Sequence, residues 1–131
     1  MSQRSRATVR NYDDGGPANV PSSRIAIIDR SGAAGSRKVV GQFFSMGREA
    51  HGLWTSPEGT RLYIAHEQDE LPNTPNGGQT VCTAFDVSDP FNPNFITQIP
   101  LGELTLPSGK LRNKKSINLV YVRPGTTSQT G

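Results

Sequence analysis

The sequence predicts an all-β chain of short antiparallel strands, on three observations. Gly and Pro number 14 and 10 among 131 residues, about 18% against an average of roughly 12%, which favours turns over long helices. Apolar residues come in runs of 6 to 8, the ordinary length of a strand. No window carries the i, i+3, i+4, i+7 stripe of an amphipathic helix. The hydrophobic share of 33% rises to about 44% with glycine counted, enough for a packed core but not a generous one.

Residues 1–23 hold Asp13-Asp14-Gly15-Gly16-Pro17, Asn19, Pro21, Ser22 and Ser23 with few large apolar side chains. Such a composition buries too little surface to offset ordering, so it reads as a flexible N-terminal tail, with Thr8–Tyr12 as one candidate edge strand. From residue 24 seven strands are expected: Arg24–Asp29, Lys38–Phe44, Ala50–Ser56, Arg61–His66, Thr80–Val87, Phe95–Leu101 and Ser116–Val122. They are rich in Ile, Val, Phe, Tyr and Leu, which suit a pleated, largely buried surface. Ser31-Gly32, Ser56-Pro57-Glu58-Gly59, Asn73 to Gly78, Asp89-Pro90 and Pro107-Ser108-Gly109 punctuate them as turns. Residues 126–131 form a C-terminal tail.

The runs repeat. Arg24-Ile25-Ala26-Ile27-Ile28-Asp29 matches Val81-Cys82-Thr83-Ala84-Phe85-Asp86, and Val39-Val40-Gly41-Gln42-Phe43 matches Phe95-Ile96-Thr97-Gln98-Ile99. Asp29 and Asp86 are 57 residues apart. Removing the polar stretch Gln68–Gln79 brings the period to about 45, close to the roughly 40–45 of a propeller blade. That stretch reads as a loop insertion.

The sharpest local signal is Ser56-Pro57-Glu58-Gly59-Thr60 between Leu53-Trp54-Thr55 and Arg61-Leu62-Tyr63-Ile64-Ala65. Pro57 pre-sets φ at the first turn position and Gly59 can take the positive φ that closes a hairpin, with Trp54 and Tyr63 on its arms. This hairpin, with His51-Gly52-Leu53-Trp54 and the two apolar-Asp strands, resembles the repeat of YVTN-type β-propellers, relatives of WD40-like propellers. The resemblance covers about residues 24–125. Glu58 stands for the family's usual Asp, and Ile64-Ala65-His66 for its Val-Thr-Asn. It implies antiparallel blades: an outer strand pair at 24–44, a complete blade at 50–101, and the inner strand of a third at 116–122. About two blades cannot close a ring of 4–8, so the missing ones would come from a longer chain or by self-association, with Phe43, Phe44, Leu119 and Tyr121 left exposed. A seven-stranded β-sandwich is the rival architecture. The resemblance implies a non-catalytic binding scaffold with no cofactor, a protein partner, and export to the periplasm or beyond. Its alternative is a piece of a metal- or haem-dependent propeller enzyme using His51 and His66.

The residues bound the chemistry further. Net charge is +3, but the basic clusters Arg4/Arg6/Arg10 and Lys110/Arg112/Lys114/Lys115 contain no aromatic, so no nucleic-acid partner is expected. No apolar stretch approaches the roughly 18 residues of a membrane span, and no apolar run follows the arginines of Met1–Arg10 as a secretory signal requires. Cys82 is the sole cysteine and reads as a small buried hydrophobe.

His51 and His66, the two histidines, lie on the two arms of the central hairpin. Pairing Ser56 with Thr60 puts them on opposite faces. Pairing Thr55 with Thr60 brings His66 diagonal to His51 and opposite Glu49, a possible His/His/Glu metal site. Both registers are open; the plainer reading makes His51 a strand hydrogen-bonder and His66 a partly exposed strand end. Glu67, Asp69 and Glu70 beside Asn73 are loop candidates for a hard cation or, more plainly, a solvated acidic loop. Asp29 and Asp86 read as turn hydrogen-bonders. Phe43, Phe44, Trp54, Tyr63, Phe85 and Phe95 read as wedges between sheets. Nucleophile-elbow, phosphate-loop and dinucleotide motifs are all missing from the sequence.

Overall fold

The computed structural model describes residues 5–10, 22–102 and 104–111. Within them run β1 (Ser5–Arg10), β2 (Arg24–Asp29), β3 (Lys38–Phe44), β4 (Ala50–Thr55), β5 (Arg61–Asp69), β6 (Thr80–Asp86), β7 (Asn94–Pro100), β8 (Leu104–Leu106) and β9 (Gly109–Leu111). They build a three-stranded sheet β1-β2-β3, a four-stranded sheet β4-β5-β6-β7 and a small β8-β9 hairpin, with every strand pair antiparallel. The only helix among the described residues is a 3-10 turn at Ala34–Ser36. The chain is all-β, and the described strands close no ring. Far-UV circular dichroism is accordingly expected to show less than about a fifth helix; a larger fraction would contradict this architecture.

The expected strands from 24 to 101 appear with ends that match or differ by one residue, except β5, which runs three residues past His66 to Asp69. The expected strand Ser116–Val122, with Leu119 and Tyr121, lies outside the described residues, as does the C-terminal tail. The flexible-tail expectation needs correcting in two places. An edge strand runs over Ser5–Arg10, beginning three residues before the expected Thr8, and pairs along all of β2, with residues 11 and 12 outside the described residues, while Ser22 and Ser23 are fully buried. Composition missed both because their partners lie in other elements.

The central hairpin takes neither register expected of it. Leu53 pairs Ile64, Trp54 pairs Tyr63 and Thr55 pairs Leu62, and the Ser56 N–H donates to Arg61 O at 2.9 Å. Pro57–Thr60 is therefore the loop, with Gly59 at φ 76, a left-handed conformation that costs an L side chain about 1 kcal/mol or more. Further along, Ala50 faces His66 and Gly52 faces Ala65. His51 is the extra residue of a β-bulge, which re-aims its side chain. Pro107-Ser108 closes the β8-β9 hairpin, which the sequence marked only as a turn.

The internal repeat holds at the level of hydrogen-bond register. Ile25 pairs Phe43 as Cys82 pairs Ile99, Ala26 pairs Gln42 as Thr83 pairs Gln98, and Asp29 pairs Lys38 as Asp86 pairs Asn94. Both hairpins carry a register shift at the same place, between Ile27 and Ile28 and between Ala84 and Phe85. Asp29 Oδ1 accepts from Ser31 N at 2.8 Å and Asp86 Oδ1 from Ser88 N at 2.9 Å, the Asx turn that suits an Asp at a strand end.

The two sheets meet face to back. Ile25 and Phe43 pack with Leu62, Ile64, Phe85 and Val87, joined by Ala50, Met46 and Leu53. The equivalents of Ile25 and Phe43 in the larger sheet are Cys82 and Ile99. Side chains alternate along β6, so Cys82 lies on the face opposite Phe85. The back of one unit thus covers the front of the next. Phe43 and Phe85 meet edge-on at 5.1 Å, and Phe85 and Phe95 at 5.6 Å, the geometry aromatic pairs favour. Phe43 and Phe44 are half-buried rather than exposed, with Arg24 stacked 5.5 Å over the Phe44 ring. Among the described residues the exposed large apolar side chains are instead Val39, Val40, Trp54, Phe91, Phe95, Ile96, Ile99, Leu101 and Leu106.

Candidate functional site

The densest polar chemistry lies where the chain crosses between the sheets. Residues 45–49 join β3 to β4 and pass over the end of β5, with Met46 and Glu49 at positive φ of 60 and 56. Such conformations in non-glycine residues persist when surrounding contacts hold them. Ser23 O accepts from Ser45 N at 2.9 Å, Ser22 Oγ from Met46 N at 2.8 Å, and Ser23 Oγ from Ala50 N at 2.9 Å. From the larger sheet, Thr83 Oγ1 donates to Ser45 O at 2.7 Å and Gln98 Nε2 to Met46 O at 2.6 Å. Ser22, Ser23, Ser45, His66, Thr80 and Thr83 are all buried, and each has a hydrogen-bond partner, as buried polar groups require.

His66 stands at the centre of this joint with its side chain fully buried. Nδ1 lies 3.1 Å from Val81 O and Nε2 lies 3.0 Å from Ser45 Oγ. A carbonyl oxygen only accepts, so Nδ1 carries the proton and, in the neutral ring, Nε2 accepts from Ser45 Oγ–H. Burial pushes the His66 pKa down to about 4, partly offset by the hydrogen bond to Val81 O, since the interior disfavours the charged ring. Gly47 lies flat on the imidazole: a Cβ there would stand 2.7 Å from Cδ2, Cε1 and Nε2.

The other site candidates are dispersed. His51, on its bulge, is exposed and sits 3.6 Å from Glu67. Glu49 is half-buried, its carbonyl accepting from Glu67 N at 2.8 Å. Asp69 and Glu70 are buried, unlike a solvated acidic loop. Asp69 Oδ1 accepts from Thr80 Oγ1 at 2.6 Å, Asp69 O from Arg48 Nη1 at 2.8 Å, and Glu70 Oε1 from Arg48 N at 3.1 Å. No group of three His, Cys, Asp or Glu able to hold a metal occurs among the described residues. His66, expected as a partly exposed strand end, is interior because β5 continues beyond it. The cross-sheet role of Ser45 went unread, since an isolated Ser after a strand carries no signal in sequence.

Several expectations of local structure meet their residues directly. Cys82 is buried and unbridged, and burial pushes its thiol pKa up. Phe85 is a wedge as expected, whereas Trp54 is 48% exposed and Phe95 44%. The Gln68–Gln79 insertion is stapled rather than loose: Glu70 N donates to Gln79 O at 2.9 Å and Asn76 Nδ2 to Gln98 Oε1 at 2.7 Å. No described helix is long and apolar enough to cross a membrane.

The geometry stands without a relative to place it. No protein-family model matches the chain, and neither the curated proteins nor the solved structures give a significant match.

Proposed function

We propose that this chain is a non-catalytic β-repeat module of the propeller-blade kind, acting as a binding scaffold whose further sheets come from a longer chain or from other copies. One observation carries the reading: two hairpins share register, register shift and Asx turn, and one stacks face to back on the other. A face-to-back stack has no self-terminating end, so each added unit presents the surface the next one needs. Blade sheets around a channel use the same arrangement.

The chemistry-bearing side chains support a scaffold over an enzyme. His66, Asp69 and Glu70 are buried in structural hydrogen bonds. The exposed surface offers apolar groups instead, with Val39 and Val40 on β3, Phe95, Ile96 and Ile99 on β7, and Trp54 on β4. Exposed apolar groups of this kind mark interaction surfaces, and among the described strands β3, β4 and β7 lie at sheet edges, where main-chain groups seek partners. Light scattering of the purified chain at low micromolar concentration is expected to report association beyond the monomer. A sharp monomer with one cooperative unfolding transition would overturn the reading.

A further inference from the structure

We propose that Ser45 and His66 form an acid-sensitive latch between the sheets, in which protonation of the ring reverses a hydrogen-bond relay and loosens the 45–49 crossing from the β4–β7 sheet. The inference is independent of the scaffold reading and rests on proton inventory. In the neutral ring, Nδ1–H donates to Val81 O and Nε2 accepts from Ser45 Oγ–H. Ser45 has one hydroxyl proton, so it cannot at the same time donate to Gly47 O, 3.1 Å away. In the charged ring, Nε2–H must donate to Ser45 Oγ, which also accepts from Ser23 N at 3.2 Å and turns its own proton to Gly47 O, or to Ser22 Oγ 3.3 Å away. Both states satisfy every partner of the ring without moving a heavy atom. What differs is a buried positive charge.

Among the described residues, the ring's two hydrogen bonds go to uncharged partners, so neither supplies a counter-charge. The charged and titratable residues carried by the elements around it are Arg48 and Glu49 on the crossing, His51 on β4, Glu67 and Asp69 on β5, Glu70 just after it, Cys82 on β6 and Arg24 on β2. Both ring hydrogen bonds nevertheless go to neutral oxygens. The nearby carboxylates have other partners: Glu67 has His51, Asp69 has Thr80, and Glu70 has Arg48 N. The charged ring is best relieved by letting water in, which means parting the 45–49 crossing from β5 and β6. His66 titrates normally near 6.5 when unfolded and about 4 when buried. The stabilisation is therefore complete above pH 6.5 and is lost as pH falls towards 4, a loss on the order of 10²-fold in folding equilibrium.

Ring nitrogen NMR on the wild-type chain tests the ground state. The expected result is the Nδ1–H tautomer at neutral pH and a titration midpoint near 4. The Nε2–H tautomer, or a midpoint near 6.5, would overturn the proposal. Urea unfolding between pH 7 and pH 4 tests the coupling: the wild type should lose on the order of 10²-fold more folding equilibrium than His66→Gln, and an equal loss in both would sink it. Ser45→Ala removes a hydrogen-bond partner from both states of the ring, and the bond lost from the charged ring is the stronger one, so its midpoint should fall below that of the wild type. An unchanged or raised midpoint would remove Ser45 from the latch. Should His66→Gln fail to fold, the wild-type and Ser45→Ala titrations still decide.

Discussion

Phe85→Ala is expected to destabilise the chain by about 3–5 kcal/mol, the range for truncating a buried phenylalanine. The side chain is 2% exposed and lies between Phe43 of the small sheet and Phe95 of β7, edge-on to both rings. Truncation forfeits its transfer free energy, leaves a cavity and removes two aromatic contacts worth about 0.5–1.5 kcal/mol each. Against a typical stability of about 5–15 kcal/mol, this approaches global unfolding. Phe95→Ala is the internal reference. Phe95 is 44% exposed and should cost well under half as much. Chemical denaturation of the two variants compares them, and equal losses would mean that the face-to-back packing of the sheets is wrong.

Gly47→Ala is expected to cost about 1–3 kcal/mol or more by overpacking. The added methyl would stand 2.7 Å from three atoms of the His66 ring. That ring cannot swing aside without breaking its bonds to Val81 O and Ser45 Oγ. Gly35→Ala separates this from any general effect of replacing glycine, because a Cβ at Gly35 meets nothing within 4 Å. Thermal unfolding should place Gly35→Ala near the wild type and Gly47→Ala several degrees lower. A Gly47→Ala variant as stable as the wild type would show that the crossing does not rest on the imidazole.

Strand positions were legible because each run carries its own statistics. Alternation and β-branched content are local properties of Arg24–Asp29 or Thr80–Asp86, and turn chemistry at Asp29, Asp86 and Pro57 bounded them within a residue. The repeat was legible for the same reason, since equivalent side chains recur at one spacing. The candidate site was not. A one-residue bulge at His51 changed which histidine faces inward; register is decided by the partner strand and the turn together. Three extra residues on β5 took His66 from a strand end into the interior.

Local pattern and composition therefore fixed the all-β class, the strands between residues 24 and 101, their antiparallel hairpins and the buried cysteine. Those depend on interactions within a few residues. Only the tertiary structure decided that Ser5–Arg10 pairs β2, that Ser22, Ser23 and Ser45 are interior, and that the two hairpins stack face to back. It also separated His51 from His66, giving one a place beside Glu67 and the other a buried bond to Ser45. Burial, pKa and hydrogen-bond partner are set by what packs against a residue from another part of the chain, 21 residues away for Ser45 and His66. No window along the sequence contains that neighbour, so the joint between the sheets becomes visible only when the fold assembles it.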